Sequence, residues 1–220
     1  MPDVFVWLVR AALVGAGLGL WFWTQRLIGA RPWPPTGIGD VLHSWTASSN
    51  RWFVEHPRAA DALLIASSAV IDLLGIFLLV SAIFGPTFRP FVGLFLLFVL
   101  RQLCQGLCAL APPENMIWRA PRVPSLLVTY GTATDLFFSG HTAIATYGAL
   151  ELAHGRSWEF WMLGAAIVLF EVGTVLVLRA HYTMDVFTAV VTALLVAGAA
   201  DRFAPVVDRG LTTLVRAFAG

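Results

Sequence analysis

Six stretches of this chain stay apolar for about the 20 residues that a helix needs to cross a lipid core. They cover residues 4–28, 63–84, 91–111, 136–153, 160–178 and 181–200. In hydrocarbon every backbone N–H and C=O must find a partner within the protein. Runs of this length therefore predict an all-α, polytopic membrane protein with six transmembrane helices. Composition agrees: 58% of residues are apolar, 12% are charged and mean hydropathy is +0.78. A soluble domain could not cover its surface with so few polar groups. The whole chain, 1–220, reads as one transmembrane domain. The first 28 residues read as a span, since the run is too long for a leader core and no small-residue cleavage site follows. Trp21, Trp23 and Arg26 suit an interfacial anchor at its end. The net charge of +1 offers no field for nucleic acid.

The connections differ in kind. Residues 29–61 contain Arg-Pro-Trp-Pro-Pro, which cannot be helical through its prolines. Beyond it, Asp40 can cap a short helix that lies on the membrane, with Leu42, Trp45, Trp52 and Phe53 as its apolar face. Pro112 to Thr134 is a second long loop. Residues 85–90, 155–159 and 179–180 are tight turns, and 201–220 is a polar tail. Alternating direction puts 29–61, 112–134 and the Arg179–Ala180 turn on one side. His141 opens the fourth span and His181 the sixth, so both histidines stand at that same face. Counting arginines does not orient the bundle, because both sides carry them in similar number. Cys104 and Cys108 lie four apart in one apolar segment, which suits neither a disulfide nor a zinc site.

His181 and Asp185 have the spacing that stacks side chains on one helix face. A carboxylate on one imidazole nitrogen fixes the tautomer and supports the imidazolium formed on attack. The other nitrogen of His181 is then a nucleophile, and His141 can serve as acid and then base. Both histidines begin helices, whose free N–H groups and positive dipole ends suit a phosphate. Gly140 lets backbone approach it, and Ser139 can donate to it. Arg101, Asp72 and Glu171 are costly in lipid and should face the interior. Arg101 and Arg179 are candidate phosphate contacts; for Arg101 the alternative is a pair with Asp72 or Glu171. Trp118, Tyr130, Phe137, Phe138 and Tyr182 could hold a quaternary amine, or equally form an interfacial belt. His43, His56 and His154 have no partner at useful spacing and read as surface residues.

Ser139-Gly140-His141-Thr142, followed about 40 residues later by His181-Tyr182-Thr183-x-Asp185-Val186, resembles the sphingomyelin synthase family. That family stands within the wider group of lipid phosphotransferases and type 2 phosphatidic acid phosphatases. Its first pattern is Cys-Gly-Asp-x-x-x-Ser-Gly-His-Thr. Asp135 matches the aspartate, whereas Ala133 and Thr134 replace Cys-Gly. Arg101 and Leu110 to Pro113 resemble its third span and the loop after it, and Pro34, Pro35 and Asp40 weakly resemble a further element. The resemblance implies six spans, cytosolic termini and an active site on the lumenal, periplasmic or exterior face. It implies His181 as nucleophile, Asp185 as its partner and His141 as acid/base. Asp135, Ser139, Gly140, Arg101, Arg179 and Tyr182 are the expected substrate-binding residues.

The phosphatase patterns Lys-x6-Arg-Pro and Ser-Arg-x5-His are missing. Thr174-Val175 stands where the Ser-Arg pair would, and the chain has no lysine. A monoester dianion needs several cations, so a poorly cationic site favours a phosphodiester. The expected reaction moves phosphocholine or phosphoethanolamine from a glycerophospholipid to ceramide or diacylglycerol. It runs through a phosphohistidine with no metal or cofactor. Membrane lipids are the expected donor and acceptor, and a homo-oligomer is compatible with this. One alternative uses water as acceptor, as a phospholipase C or lipid phosphatase does. Another is a lipid-binding membrane protein without catalysis.

Overall fold

The computed structural model describes residues 2–30, 38–121, 125–128, 130 and 136–219. Among these there is no strand, and eight helices account for most of the chain. They are α1 (Pro2–Gly29), α2 (Val41–Trp45), α3 (Ala47–Glu55), α4 (Pro57–Phe84), α5 (Arg89–Leu107), α6 (Gly140–Ala153), α7 (Trp158–Val177) and α8 (Thr183–Ala219). Five of them, α1, α4, α5, α7 and α8, are long and apolar enough to cross a membrane. By length and composition they mark an integral membrane protein.

The fourth expected span takes a different form. Residues 136–139 are not helical, and α6 has 14 residues. At 1.5 Å per residue it is about 21 Å long, shorter than a bilayer core of about 30 Å. Eleven of its residues are buried. It packs against α4, α5, α7 and α8, so it forms the centre of the bundle. Its small residues Ala143, Ala145 and Ala149 let the neighbours close around it.

The ends of the helices follow local chemistry. Pro57 sits in the first turn of α4, where its missing N–H costs nothing. Asp40 caps α2, its carboxylate accepting from the N–H groups of Leu42 (2.9 Å) and His43 (3.2 Å). The expected surface helix is two short helices, α2 and α3. Trp45 and Trp52 are exposed, while Asn50 is fully buried and donates to the carbonyl of Val177 at 2.9 Å. That bond draws α3 over the end of α7.

The last expected element also changes. Residues 201–219 are not a separate polar tail but continue α8. Their acidic groups hold the ends of α1 and α5. Arg89 binds Asp201 (2.7 Å) and Glu151, and Arg10 binds Asp208 (3.2 Å). Asp208 also accepts from the Thr87 hydroxyl (2.6 Å) and the Phe88 N–H (2.9 Å). Trp21 is not an anchor at the interface. It is 6% exposed and stacks on Phe98 with ring centroids 4.6 Å apart, whereas Trp23 is exposed.

The loop after α5 enters the bundle. Asp72 on α4 accepts from the N–H groups of Leu126 (2.8 Å) and Leu127 (2.9 Å). Leu127 is buried so closely on Gly75 that a Cβ there would stand 2.0 Å from its Cδ1. Asp72 therefore serves backbone groups that hydrocarbon could not satisfy. Glu171 is fully buried and accepts from the Ser67 hydroxyl at 2.6 Å.

Candidate active site

Both histidines line one cavity at the end of the bundle where α1 and α5 finish and α6 and α8 begin. Backbone bonds bring the two helix starts together. The Ser139 N–H donates to the Asp185 carbonyl at 3.2 Å, joining the cap of α6 to the first turn of α8. The Ser139 hydroxyl accepts from the Thr142 N–H at 3.3 Å. Ser139 is fully buried, so it acts here through its cap and does not line the cavity.

The imidazole of His181 is oriented by backbone. Its Nδ1 lies 2.9 Å from the carbonyl oxygen of Leu136. A carbonyl can only accept, so Nδ1 carries the proton and Nε2 carries the lone pair. Asp185 was expected to bond to this ring. Its Oδ2 is 3.6 Å from Nδ1, beyond a hydrogen bond, and accepts instead from the Tyr182 N–H at 2.9 Å. The carboxylate thus caps the first turn of α8 and stands beside the ring as a counter-charge. Its Oδ1 is buried without a hydrogen-bond partner among the described residues.

His141 is 6% exposed, and its ring meets Trp118 edge to face at 5.1 Å between centroids. Its Nε2 is buried and has no hydrogen-bond partner among the described residues. Trp118 in turn packs on Tyr130 at 4.7 Å. Burial pushes the Tyr130 hydroxyl's pKa up, despite its bond with Ser68.

Arg101 lines the same cavity. Its Nε donates to the Phe138 carbonyl (2.9 Å) and Nη1 reaches Gln25 Oε1 (3.4 Å). It pairs with neither Asp72 nor Glu171, whose bonds go to Leu126, Leu127 and Ser67. Gly140 explains how the guanidinium comes so near α6: a Cβ there would lie 3.2 Å from Arg101 Nε. A side chain at this position would require the guanidinium to give way by a few tenths of an ångström.

Arg179 and Tyr182 line a different, polar pocket, with Asp40, His43 and Glu114. Arg179 has φ +53°, a conformation that disfavours side chains, and donates to the carbonyls of Glu114 (2.9 Å) and His43 (3.2 Å). The Tyr182 hydroxyl donates to the Ala111 carbonyl (3.0 Å) and accepts from the Ile38 N–H (3.2 Å). Asp135 lies outside the described residues.

His43 is a correction. It is not a surface residue: it is 7% exposed, stacks on Tyr182 and donates from Nε2 to the His181 carbonyl at 2.9 Å. His56 and His154 are exposed. Asp40 links the same region to α8, accepting from the Thr183 N–H (2.5 Å) and hydroxyl (2.7 Å). Burial works against the Asp40 carboxylate, but the bonds from Thr183 and His43 outweigh it and hold its pKa below the ordinary value. The sequence signal for His43 was its place three residues after a capping aspartate. Met116, Leu127 and Val128, which also line the cavity, gave no such signal. Among the described residues no group of three His, Cys, Asp or Glu side chains could hold a metal ion.

Residues 132–201, about a third of the chain, match the family model described as PAP2 superfamily C-terminal. The matched segment contains His141, His181 and Asp185. It supports a place in the type 2 phosphatidic acid phosphatase-like superfamily and fits lipid phosphatase or phosphotransferase activity. No curated protein and no solved structure matches the chain.

Proposed function

We propose that this chain is a lipid head-group phosphotransferase whose nucleophile is His181. The observation that carries the reading is the Leu136 carbonyl on His181 Nδ1, which leaves the Nε2 lone pair for attack. His181 Nε2 attacks the phosphorus of a glycerophospholipid, and the bond to the diacylglycerol oxygen breaks. His141, as the imidazolium beside the anionic phosphate, gives its Nε2 proton to that oxygen and becomes neutral, and diacylglycerol leaves. The acceptor hydroxyl of ceramide or diacylglycerol then attacks the phosphohistidine and gives its proton to His141. Both steps conserve the Nδ1 proton, and the Asp185 carboxylate beside the ring stabilises the charge formed. Arg101 and the N–H groups opening α6 stabilise the phosphoryl oxygens.

Arg101 is the one arginine among the described residues that line the cavity, and a single such cation suits a phosphodiester better than a monoester dianion. Trp118, with Tyr130 behind it, supports an ammonium head group through cation–π contact. The membrane lipids themselves are donor and acceptor, and the site opens to the lumenal, periplasmic or exterior face. The short α6 completes a six-helix arrangement from within the bundle.

The test is product analysis by mass spectrometry. Purified protein goes into liposomes carrying labelled phosphatidylcholine and phosphatidylethanolamine, with and without ceramide, beside a His181→Ala control. Labelled head group on ceramide establishes the transferase and names its donor. Diacylglycerol with free phosphocholine or phosphoethanolamine makes water the acceptor. If wild type and control give identical traces with both lipids, the head-group reading fails.

A further inference from the structure

We infer that the groove between α1 and α5 seats an acyl chain of the lipid whose head group enters the histidine cavity, and that the Trp21–Phe98 stack is the gate between them. This rests on the proposed reaction for the identity of the head group. The two spaces differ in size. The histidine cavity has about 40 Å³ of free volume, room for a few water molecules. The chains of a phospholipid do not fit in that volume. The neighbouring groove has about 360 Å³ and an almost wholly apolar lining.

The two spaces share a wall. Trp21 and Phe98 line both, and their stacked rings lie 4.6 Å apart at 16° between planes. On α1 the groove runs from Gly17 to Ile28. That is about 16 Å of helix, close to half of a bilayer core of about 30 Å, hence one leaflet. The lining includes Gln102, whose Nε2 donates to Gln25 Oε1 (3.2 Å), the same oxygen that Arg101 reaches. A polar group of the groove thus stands beside the cation of the histidine cavity, where a head group would lie.

A second observation is independent of the groove's shape. The indole N–H of Trp21 is buried without a hydrogen-bond partner among the described residues. A buried indole N–H normally finds an acceptor. The wall between a chain and a head group is where a lipid carries its ester or amide carbonyl, and that carbonyl is the acceptor this donor lacks. Rotation of the stacked pair would open the wall and present the N–H in one movement.

The experiment uses full-length His181→Ala protein, so that labelling does not depend on turnover. It is placed in vesicles of phosphatidylcholine and phosphatidylethanolamine containing a phosphatidylcholine with a diazirine near the end of one chain. After illumination, mass spectrometry compares adducts on residues 17–28 and 91–106 with those on the lipid-facing surface of α7 around Trp161 and Leu169. Groove adducts several-fold above the α7 face are expected. Leu103→Trp, at a position 58% exposed in the groove, should lower them several-fold and leave the α7 adducts unchanged. Equal labelling of both faces, or no effect of Leu103→Trp, would overturn the groove. In active protein, Trp21→Phe keeps an aromatic stack and removes the donor. It should raise KM several-fold with kcat little changed, and an unaltered KM would remove the carbonyl contact. Groove adducts without turnover in the liposome assay would leave the chain site standing and sink the reaction. Turnover without groove adducts would do the reverse.

Discussion

The two ends of the bundle handle buried polar groups in opposite ways. At the end where α5 begins, charge meets charge: Arg89 lies between Glu151 and Asp201, and Arg10 meets Asp208 through Nη2, with its buried Nε left without a hydrogen-bond partner among the described residues. At the end where α6 and α8 begin, His141 Nε2, Asp185 Oδ1 and the Trp21 N–H are buried without hydrogen-bond partners among the described residues. Unpaired polar atoms are costly in a low dielectric. A paired network holds helices together, whereas a site that must receive a charged, moving group keeps capacity in reserve. The contrast marks one end as a fastening and the other as the chamber of the proposed reaction.

The largest effect should come from the chamber. His181→Ala should lower turnover roughly 10³-fold or more, since nothing else in the cavity replaces the nucleophile. Melting in detergent should fall modestly, because the Leu136 carbonyl loses its donor, and no acid-labile phosphoprotein should form. A variant that retains turnover would remove the covalent route. His141→Gln should cost about 10²- to 10⁴-fold, the usual range for a general acid. A donor with an acidic phenol as leaving group should recover much of that loss, because such an oxygen departs without a proton. Equal loss with both donors would assign His141 a structural part instead.

The fastening end should respond in the other currency. Arg89→Ala leaves the buried Glu151 carboxylate unpaired and should destabilise the fold by about 3–5 kcal/mol. Thermal unfolding should show it, with kcat per folded molecule near wild type. If instead kcat falls and melting does not, the division between the two ends is wrong.

The smallest effect tests the strap that ties α2 to the start of α8. Asp40→Asn weakens a cap on α2 and the bonds to Thr183, costing about 1 kcal/mol near neutral pH. The folded pKa of Asp40 lies below its unfolded value of 3.8. Its contribution is therefore complete above pH 3.8 and is lost as pH falls through the lower, folded value. Wild type and variant should differ by a constant amount from pH 7 to 4, and their acid limbs should converge below that. A gap that widens on acidification would reverse the sign.

How much of the site could be read from the chain depends on which forces place each residue. The pairing of His181 with Asp185 was read from helix spacing, yet His181 lies two residues before α8, and the capping turn rather than a helix face sets its ring 3.6 Å from the carboxylate. Spacing could not reveal that a backbone carbonyl 45 residues away would take the Nδ1 proton. Arg179 and Tyr182 are neighbours of His181 in sequence, yet the turn at Arg179 directs them to another pocket. His43 is 138 residues from His181, and its bond to that residue's carbonyl exists only because α2 folds over the start of α8.

Hydropathy determined five long apolar helices, because the cost of unpaired backbone in lipid acts on each segment separately. Alternation of the apolar segments predicted His141 and His181 at one end of the bundle, and the two line one cavity there. Tertiary structure alone decided that α6 is a short buried core helix, that residues 201–219 fasten the opposite end, and that the loop at Leu127 descends onto Gly75. Those outcomes come from packing and hydrogen bonds between segments far apart in sequence, which no local period encodes.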